Sequence, residues 1–215
     1  MKKLSKFKEL FLILFLLFLY TIISAYSYVN AVSKDIENSV FRLHVIANSD
    51  STEDQNLKYV VRDNILEYVN NISKDIYSKE EMINLLNNNL ENIKSIAEKT
   101  IYENGYSYTV DVEIGNFDFP TKSYGDMSFP AGFYDALRVK IGNAAGKNWW
   151  CVMFPPLCFV DVTSGIVPDE SKKTIKDNLS QEEYDLLYNE SSNDLKFKFK
   201  IIETLQKINI NLAKL

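Results

Sequence analysis

The residues best suited to chemistry in this 215-residue sequence are two cysteines and one histidine. Cys151 and Cys158 lie in residues 148–162, a nearly uncharged stretch that also holds both tryptophans. A free Cys151 thiol could act as a nucleophile if the fold placed His44 beside it as the base. His44 alternates with apolar residues in a predicted strand, where a lone histidine usually has a structural role, so the sequence disfavours this pair.

A second chemical candidate is an acidic cluster formed by Asp50, Glu53 and Asp54. Two carboxylates held close together can serve as the acid and the base of glycoside hydrolysis. The alternative is structural, because residues 51–54 resemble a helix capping box and place acids at the positive end of a helix dipole. The sequence therefore favours capping and leaves a secreted cell-wall hydrolase as the alternative function.

Other classes of site lack the residues that they need. His44 is the only histidine, and the sequence contains no His-Glu-x-x-His motif, no Cys-x-x-Cys pair and no glycine-rich phosphate loop. We therefore expect no metal and no cofactor. The net charge is −5 although the first eight residues include four lysines, so the rest of the chain is acidic and we expect no nucleic-acid partner.

The N-terminus predicts export through a membrane. Residues 2–8 are basic, residues 10–23 are apolar, and small residues follow as far as Ala31. This order is typical of a secretory signal, and a slightly longer apolar segment would serve as an uncleaved anchor. We predict a signal peptide or signal anchor over residues 1–31, a polar linker over residues 32–39 and a single extracytoplasmic domain over residues 40–215.

Export changes the interpretation of the cysteines, because extracytoplasmic compartments favour disulfides. An extended step from Cys151 to Cys158 would span about 23 Å, whereas the Cα atoms of a disulfide lie about 5.5 Å apart. The chain must therefore reverse between them, and a cis bond between Phe154 and Pro155 would produce the turn. The alternative is two buried thiols that pack as small apolar groups.

Hydrophobic periodicity predicts an α+β fold in a single domain. The predicted elements are a strand at 40–47, helices at 51–70 and 78–100, strands at 106–114, 134–141 and 148–154, and helices at 180–188 and 194–210, with a loop at 115–132. The alternation of residues 196–201 leaves a strand as the alternative for the last helix. Because successive strands joined by short turns usually pair, we expect an antiparallel meander of three strands plus the N-terminal strand.

The two tryptophans are adjacent in a predicted strand, so Trp149 and Trp150 are expected to point to opposite faces. One can fill the core while the other contacts solvent or a partner, since large rigid aromatic side chains are frequent anchors of interfaces. The alternative is that one belongs to the core and the other only covers it.

Two stretches of the sequence resemble one known family. The first is residues 42–51, Arg-Leu-His-Val-Ile-Ala-Asn-Ser-Asp-Ser, with its continuation through residues 54–63. The second comprises residues 129–142 and residues 146–161, which include Asn-Trp-Trp-Cys-Val-x-Phe-Pro-Pro-Leu-Cys-Phe-Val-Asp. Together they are similar to stage II sporulation protein R of endospore-forming bacteria, over most of the chain that follows the signal.

This resemblance implies a signalling protein and not an enzyme. Members of the family are made in the forespore and exported into the space between forespore and mother cell. There they activate a membrane-bound aspartic-type protease of the mother-cell side, which removes the pro-segment from the precursor of the mother-cell sigma factor sigma-E.

The resemblance implies no residue-level contact site, so our hypothesis for partner binding comes from the residues themselves. Affinity would come from a buried aromatic anchor within a polar rim, and the tryptophan segment with its proline turn is our hypothesis for that anchor. The hypothetical contact residues are Trp149, Trp150, Phe154, Pro155 and Pro156, with Asp50 and Asp54 as a second region.

Overall fold

The computed structural model describes residues 2–158 and 166–188. Six helices and six strands follow one another in this part of the chain. In order they are α1 (Lys2–Ser39), β1 (Phe41–Ile46), α2 (Thr52–Ile72), α3 (Lys79–Asn87), α4 (Leu90–Glu103), β2 (Val110–Phe119), β3 (Lys122–Tyr124), β4 (Met127–Phe129), β5 (Gly132–Ile141), β6 (Asn148–Phe154), α5 (Asp169–Asp177) and α6 (Gln181–Leu187). The predicted α+β class is confirmed.

Four strands form the main sheet, in the order β2-β5-β1-β6. β1 is parallel to β5 and antiparallel to β6, and β2 is antiparallel to β5. This order corrects the predicted meander, because β1 separates β5 from β6. Residues 41–45 are all buried, and such a strand is most stable in the centre of a sheet, where both of its edges are hydrogen bonded.

The sheet separates two hydrophobic clusters. Alternation along β1 places Leu43 and Val45 in the first cluster, which α2, α3 and α4 cover. Arg42 and His44 point to the other face, where the end of α1, the β3–β4 hairpin and helices α5 and α6 surround the second cluster. The central strand therefore contributes apolar side chains to one face and two basic side chains to the other.

Helix α2 begins where the sequence predicts it. Ser51 caps the helix, and its hydroxyl accepts a hydrogen bond from the Asp54 backbone N–H at 3.1 Å. The helix predicted over residues 78–100 is instead two helices, α3 and α4. The side chain of Asn89 at the break bonds to the backbone one turn earlier and accepts a hydrogen bond from the Tyr68 hydroxyl, which competes with a continuous helix.

Helix α1 runs without a break from the N-terminal apolar segment into the domain. Within Lys8–Ser39 it is long and apolar enough to cross a membrane, with a mean hydropathy of 2.3 over an 18-residue window, a property that secretory signals share. Residues 32–39, predicted as a linker, are instead its last turns, and they bury Val32 and Ile36 in the second cluster. The apolar positions in this stretch have helical spacing, which explains the difference.

The remaining predicted elements are partly correct. The predicted loop over residues 115–132 is largely strand, since β2 continues to Phe119 and β3 pairs with β4. Ser180 and Glu183 form a capping box at the start of α6, which confirms the helix predicted there. The sequence patterns do not predict α5, and the helix predicted over residues 194–210 lies outside the described residues.

Candidate functional site

The two tryptophans of β6 point to opposite faces of the sheet, as predicted. Trp149 packs beside α2, with the Arg62 guanidinium 4.1 Å from its ring and the Tyr59 ring 5.6 Å away. Trp150 stacks on the His44 ring with 3.7 Å between the ring centroids. Both indoles are half-buried, so each packs against a core cluster and keeps part of its surface open to solvent.

Strand β6 ends in a turn that is closed by a disulfide. Cys151 is bonded to Cys158 with their Cα atoms 5.1 Å apart, and the bond between Phe154 and Pro155 is cis. We call residues 151–158 the disulfide-closed turn. The side chain of Phe154 is 4% exposed and Pro155 is also buried, whereas Pro156 is exposed. Of these three predicted contact residues, Pro156 alone presents its side chain to solvent.

A groove with a volume of about 420 Å³ opens beside the disulfide-closed turn. We call it the turn groove. Its floor is apolar and almost fully buried, and is formed by Leu66, Val69, Met82, Met153 and Phe154. Its rim is more exposed and includes Tyr77, Pro156, Asn70, Lys74, Glu170 and Thr174. Sequence reasoning missed this groove because α2, α3, β6 and α5 each supply part of its wall.

The acidic cluster lies at the corner where β1 ends and α2 begins. Asp54 is buried, and its carboxylate accepts hydrogen bonds from the Ser49 hydroxyl at 2.5 Å and the Asn48 amide at 2.8 Å. Burial alone would raise the pKa of Asp54, but these bonds and one from Tyr108 outweigh it and hold the pKa below its usual value. The carboxylate therefore joins the end of β1 to the first turn of α2.

The turn between β5 and β6 is bonded to the same corner. The Asp50 carboxylate accepts a hydrogen bond from the Lys147 backbone N–H at 2.7 Å, and the buried Lys58 ammonium donates to the Lys147 carbonyl oxygen at 3.0 Å. Gly146 lies so close that a β-carbon there would overlap the carbonyl oxygen of Ser49. The two sequence stretches that carry the family resemblance are therefore joined here.

The contacts of this corner favour capping over the acid and base that hydrolysis needs. The lowered pKa of Asp54 opposes the protonated form that a general acid requires, Asp50 is bonded to backbone, and Glu53 is exposed. Cys151 is in a disulfide and His44 lies on the other face of the sheet, so they form no nucleophile–base pair. Within residues 2–158 and 166–188, no group of three or more metal-ligating side chains is placed to hold a metal ion.

Arg42 is a core residue that sequence reasoning missed. It is fully buried, with its guanidinium 4.2 Å from the Phe119 ring and 4.7 Å from the Tyr134 ring. One terminal nitrogen donates to the Tyr124 hydroxyl at 3.0 Å, while Nε and Nη1 have no hydrogen-bond partner among the described residues. The sequence signal for its burial is its position in a predicted strand whose other residues are mostly apolar.

His44, two residues further along β1, is a neutral partner of Trp150. Burial lowers the pKa of His44 to about 4, the charge of Arg138 adds to this effect, and a hydrogen bond with Asn148 opposes it. The Nε2–H group donates to Asn148 Oδ1 at 2.7 Å. The imidazole therefore stacks on Trp150 as an uncharged ring at neutral pH.

Comparison with known proteins finds one family. Residues 37–164 match the family described as Stage II sporulation protein R. Stage II sporulation protein R of Bacillus subtilis (strain 168) is 41% identical over 143 residues, which cover 66% of this chain and 64% of that protein. No solved structure matches the chain.

The matched region contains the main sheet, the acidic corner and the disulfide-closed turn. It begins at Glu37 in the last turn of α1 and ends before α5. All the side chains described in this subsection, except those that α5 contributes to the turn groove, lie inside it. This chain is therefore a member of the Stage II sporulation protein R family, a family of sporulation proteins.

Proposed function

We propose that this protein is an exported sporulation signal that activates a membrane-bound aspartic-type protease by binding its extracytoplasmic face. The activated protease then processes the precursor of the mother-cell sigma factor sigma-E. Membership of the Stage II sporulation protein R family, over residues 37–164, is the observation that carries this proposal. The protein acts as a ligand and not as an enzyme.

Two features of the chain support action outside the forespore cytoplasm. Helix α1 has the composition of a signal or a membrane anchor over Lys8–Ser39, which would deliver the domain to the space between forespore and mother cell. The disulfide between Cys151 and Cys158 suits an oxidising compartment, since reducing cytoplasm disfavours such bonds.

The contact region that we propose centres on β6 and the disulfide-closed turn. Trp149 and Trp150 are half-buried and rigidly packed, so each could anchor a partner with little further loss of side-chain entropy. Phe154 and Pro155 are buried and support the turn from below, and Pro156 lies on the surface. At the acidic corner Asp50 is exposed and can contact a partner directly. Asp54 is buried, so its role is to hold the corner in the position that presents Asp50.

Reconstitution in a non-sporulating bacterial host tests the proposed function. The precursor and the protease are produced together, with or without the full-length chain, and removal of the pro-segment is followed by immunoblot. We expect cleavage only when the chain is present, and none when residues 2–31 are deleted, because that variant stays in the cytoplasm. Equal cleavage without the chain would refute the proposal.

Trp150→Ala tests the contact region within the same assay. Loss of an aromatic anchor weakens an interface by about 2 kcal/mol or more, so we expect roughly thirtyfold less activation at limiting amounts of the chain. The matched control is Val60→Ala, which shortens an exposed apolar side chain on α2. Full activity of a folded Trp150→Ala variant would remove Trp150 from the interface.

A further inference from the structure

The turn groove combines an apolar floor with an exposed aromatic rim. Its floor residues are no more than 4% exposed, whereas Tyr77 at the rim is 76% exposed. Protein interfaces commonly have this arrangement of an apolar centre within a polar rim. Two of the floor residues are methionines, Met82 and Met153, whose flexible thioethers adapt to the shape of an inserted side chain.

We propose that the turn groove binds a short extracytoplasmic segment of an integral membrane protein, which inserts one or two large apolar side chains. The proposal rests on the proposed function, because it assigns the place at which the membrane-bound partner docks. The groove volume of about 420 Å³ is near the lower end of ordinary ligand pockets, roughly 300–1,000 Å³. It therefore fits a few side chains and not a folded domain.

The position of the groove in the fold argues for a membrane-bound partner. Phe154 on the groove floor is paired across the sheet with Phe41, the first residue of β1, which follows α1 almost directly. The groove therefore lies at the end of the sheet where α1 enters the domain. The helix from Ser24, where the apolar run ends, to Ser39 is roughly 20 Å long, a distance that about seven extended residues of a partner would span.

The disulfide gives this site its shape. Cys158 lines the groove, Cys151 is buried in the first core cluster, and the bond between them holds Pro156 at the rim. Helix α5 presents Thr174 to the groove, and its Ser171 hydroxyl donates a hydrogen bond to the Pro156 carbonyl oxygen at 3.3 Å. A larger side chain at Thr174 would occupy the groove from α5.

Photo-crosslinking in sporulating cells tests the proposal with the full-length chain. p-Benzoylphenylalanine is placed at Tyr77, and the matched control is placed at Tyr102, which is 80% exposed. Tyr102 does not line the groove: it lies in the last turn of α4, whose Thr100 bonds to Asn64, whereas α2 contributes Leu66, Val69 and Asn70 to the groove wall. We expect the sigma-factor-processing protease, identified by mass spectrometry, to crosslink to position 77 and not to position 102.

A variant that fills the groove with a larger side chain provides a second test of the proposal. We expect Thr174→Trp to lower both the crosslink at position 77 and precursor processing by roughly tenfold or more. Thr109→Trp, at an exposed position before β2, is the matched control and should leave both unchanged. A thermal unfolding curve for each variant shows whether the fold is retained.

The possible results of these experiments distinguish failure of the groove proposal from failure of the proposed function. Wild-type processing by Thr174→Trp, with no protease crosslink at position 77, would overturn the groove and leave the proposed function standing. A crosslink from position 77 to a second copy of the chain, or within the chain, would also overturn it. If the wild-type chain fails to promote processing but position 77 still crosslinks to the protease, the proposed function falls and the groove proposal stands.

Discussion

Removal of the disulfide is the most direct test of how β6 is held. The perturbation is the double substitution Cys151→Ala and Cys158→Ala, compared with the wild-type protein before and after treatment with a reductant. Alanine is chosen because Cys151 is 1% exposed and a polar replacement would leave a buried hydroxyl. The comparison with reduced wild-type protein isolates the covalent bond from the change in side-chain volume.

The size of the effect follows from the short loop that the bond closes. The two cysteines are separated by seven positions, and closing so small a loop stabilises the folded state by about 2.5 kcal/mol in the chain-entropy description. For a protein of this length, each kcal/mol shifts the melting temperature by roughly 2–4 °C. We therefore expect reduction to lower the melting temperature by about 5–10 °C.

Intrinsic fluorescence is a suitable assay because both tryptophans lie on β6, directly before Cys151. The full-length protein is melted in a mild detergent with and without reductant. The double variant should melt near the reduced wild-type protein and should not respond to reductant. The reasoning is refuted if oxidised and reduced wild-type proteins melt at the same temperature, or if reductant still destabilises the variant.

Three further predictions concern the acidic corner and the core. Asp54→Ala should lower the free energy of unfolding by about 1–3 kcal/mol at pH 7. Because the pKa of Asp54 is lowered in the folded state, its stabilisation is present above the usual aspartate pKa of 3.8 and is lost as the pH falls further. The free energies of urea unfolding of variant and wild type should therefore converge below pH 3.8. Gly146→Ala should cost roughly 1–3 kcal/mol in urea unfolding, since its β-carbon would overlap the Ser49 carbonyl, and an unchanged midpoint would contradict the close approach. Arg42→Met should leave the melting temperature unchanged or raise it, because it replaces a buried cation with an apolar side chain of similar length. Arg42→Ala should instead lower the free energy of unfolding by about 2–5 kcal/mol, because it leaves a cavity beside Phe119.

Local patterns in the sequence were enough to predict several helices and strands and the disulfide bond. The Ser51 cap, the alternation of β2 and β5, and the pairing of Cys151 with Cys158 each depend on residues that are close in sequence. The family could also be recognised from the residues around His44 and Trp150. Such features are predictable because chain geometry alone relates residues a few positions apart.

Other features depended on contacts between distant segments. From the sequence, the carboxylate of Asp54 could be a catalytic group or a structural acceptor. Its hydrogen bonds to Ser49 and Asn48, in a corner that is also bonded to Lys147, favour the structural role. The burial of Phe154, a hypothetical contact residue, likewise follows from the tertiary structure, since the turn folds it onto the core.

The sequence by itself determined the α+β class, the family, the N-terminal apolar segment and the reversal of the chain between the cysteines. The tertiary structure alone decided that β1 enters the sheet between β5 and β6, that Arg42 is buried, and that α2, α3, β6 and α5 together form the turn groove. The physical reason is that strand order and grooves arise from pairing and packing between segments up to about a hundred residues apart, which no local pattern of side chains encodes.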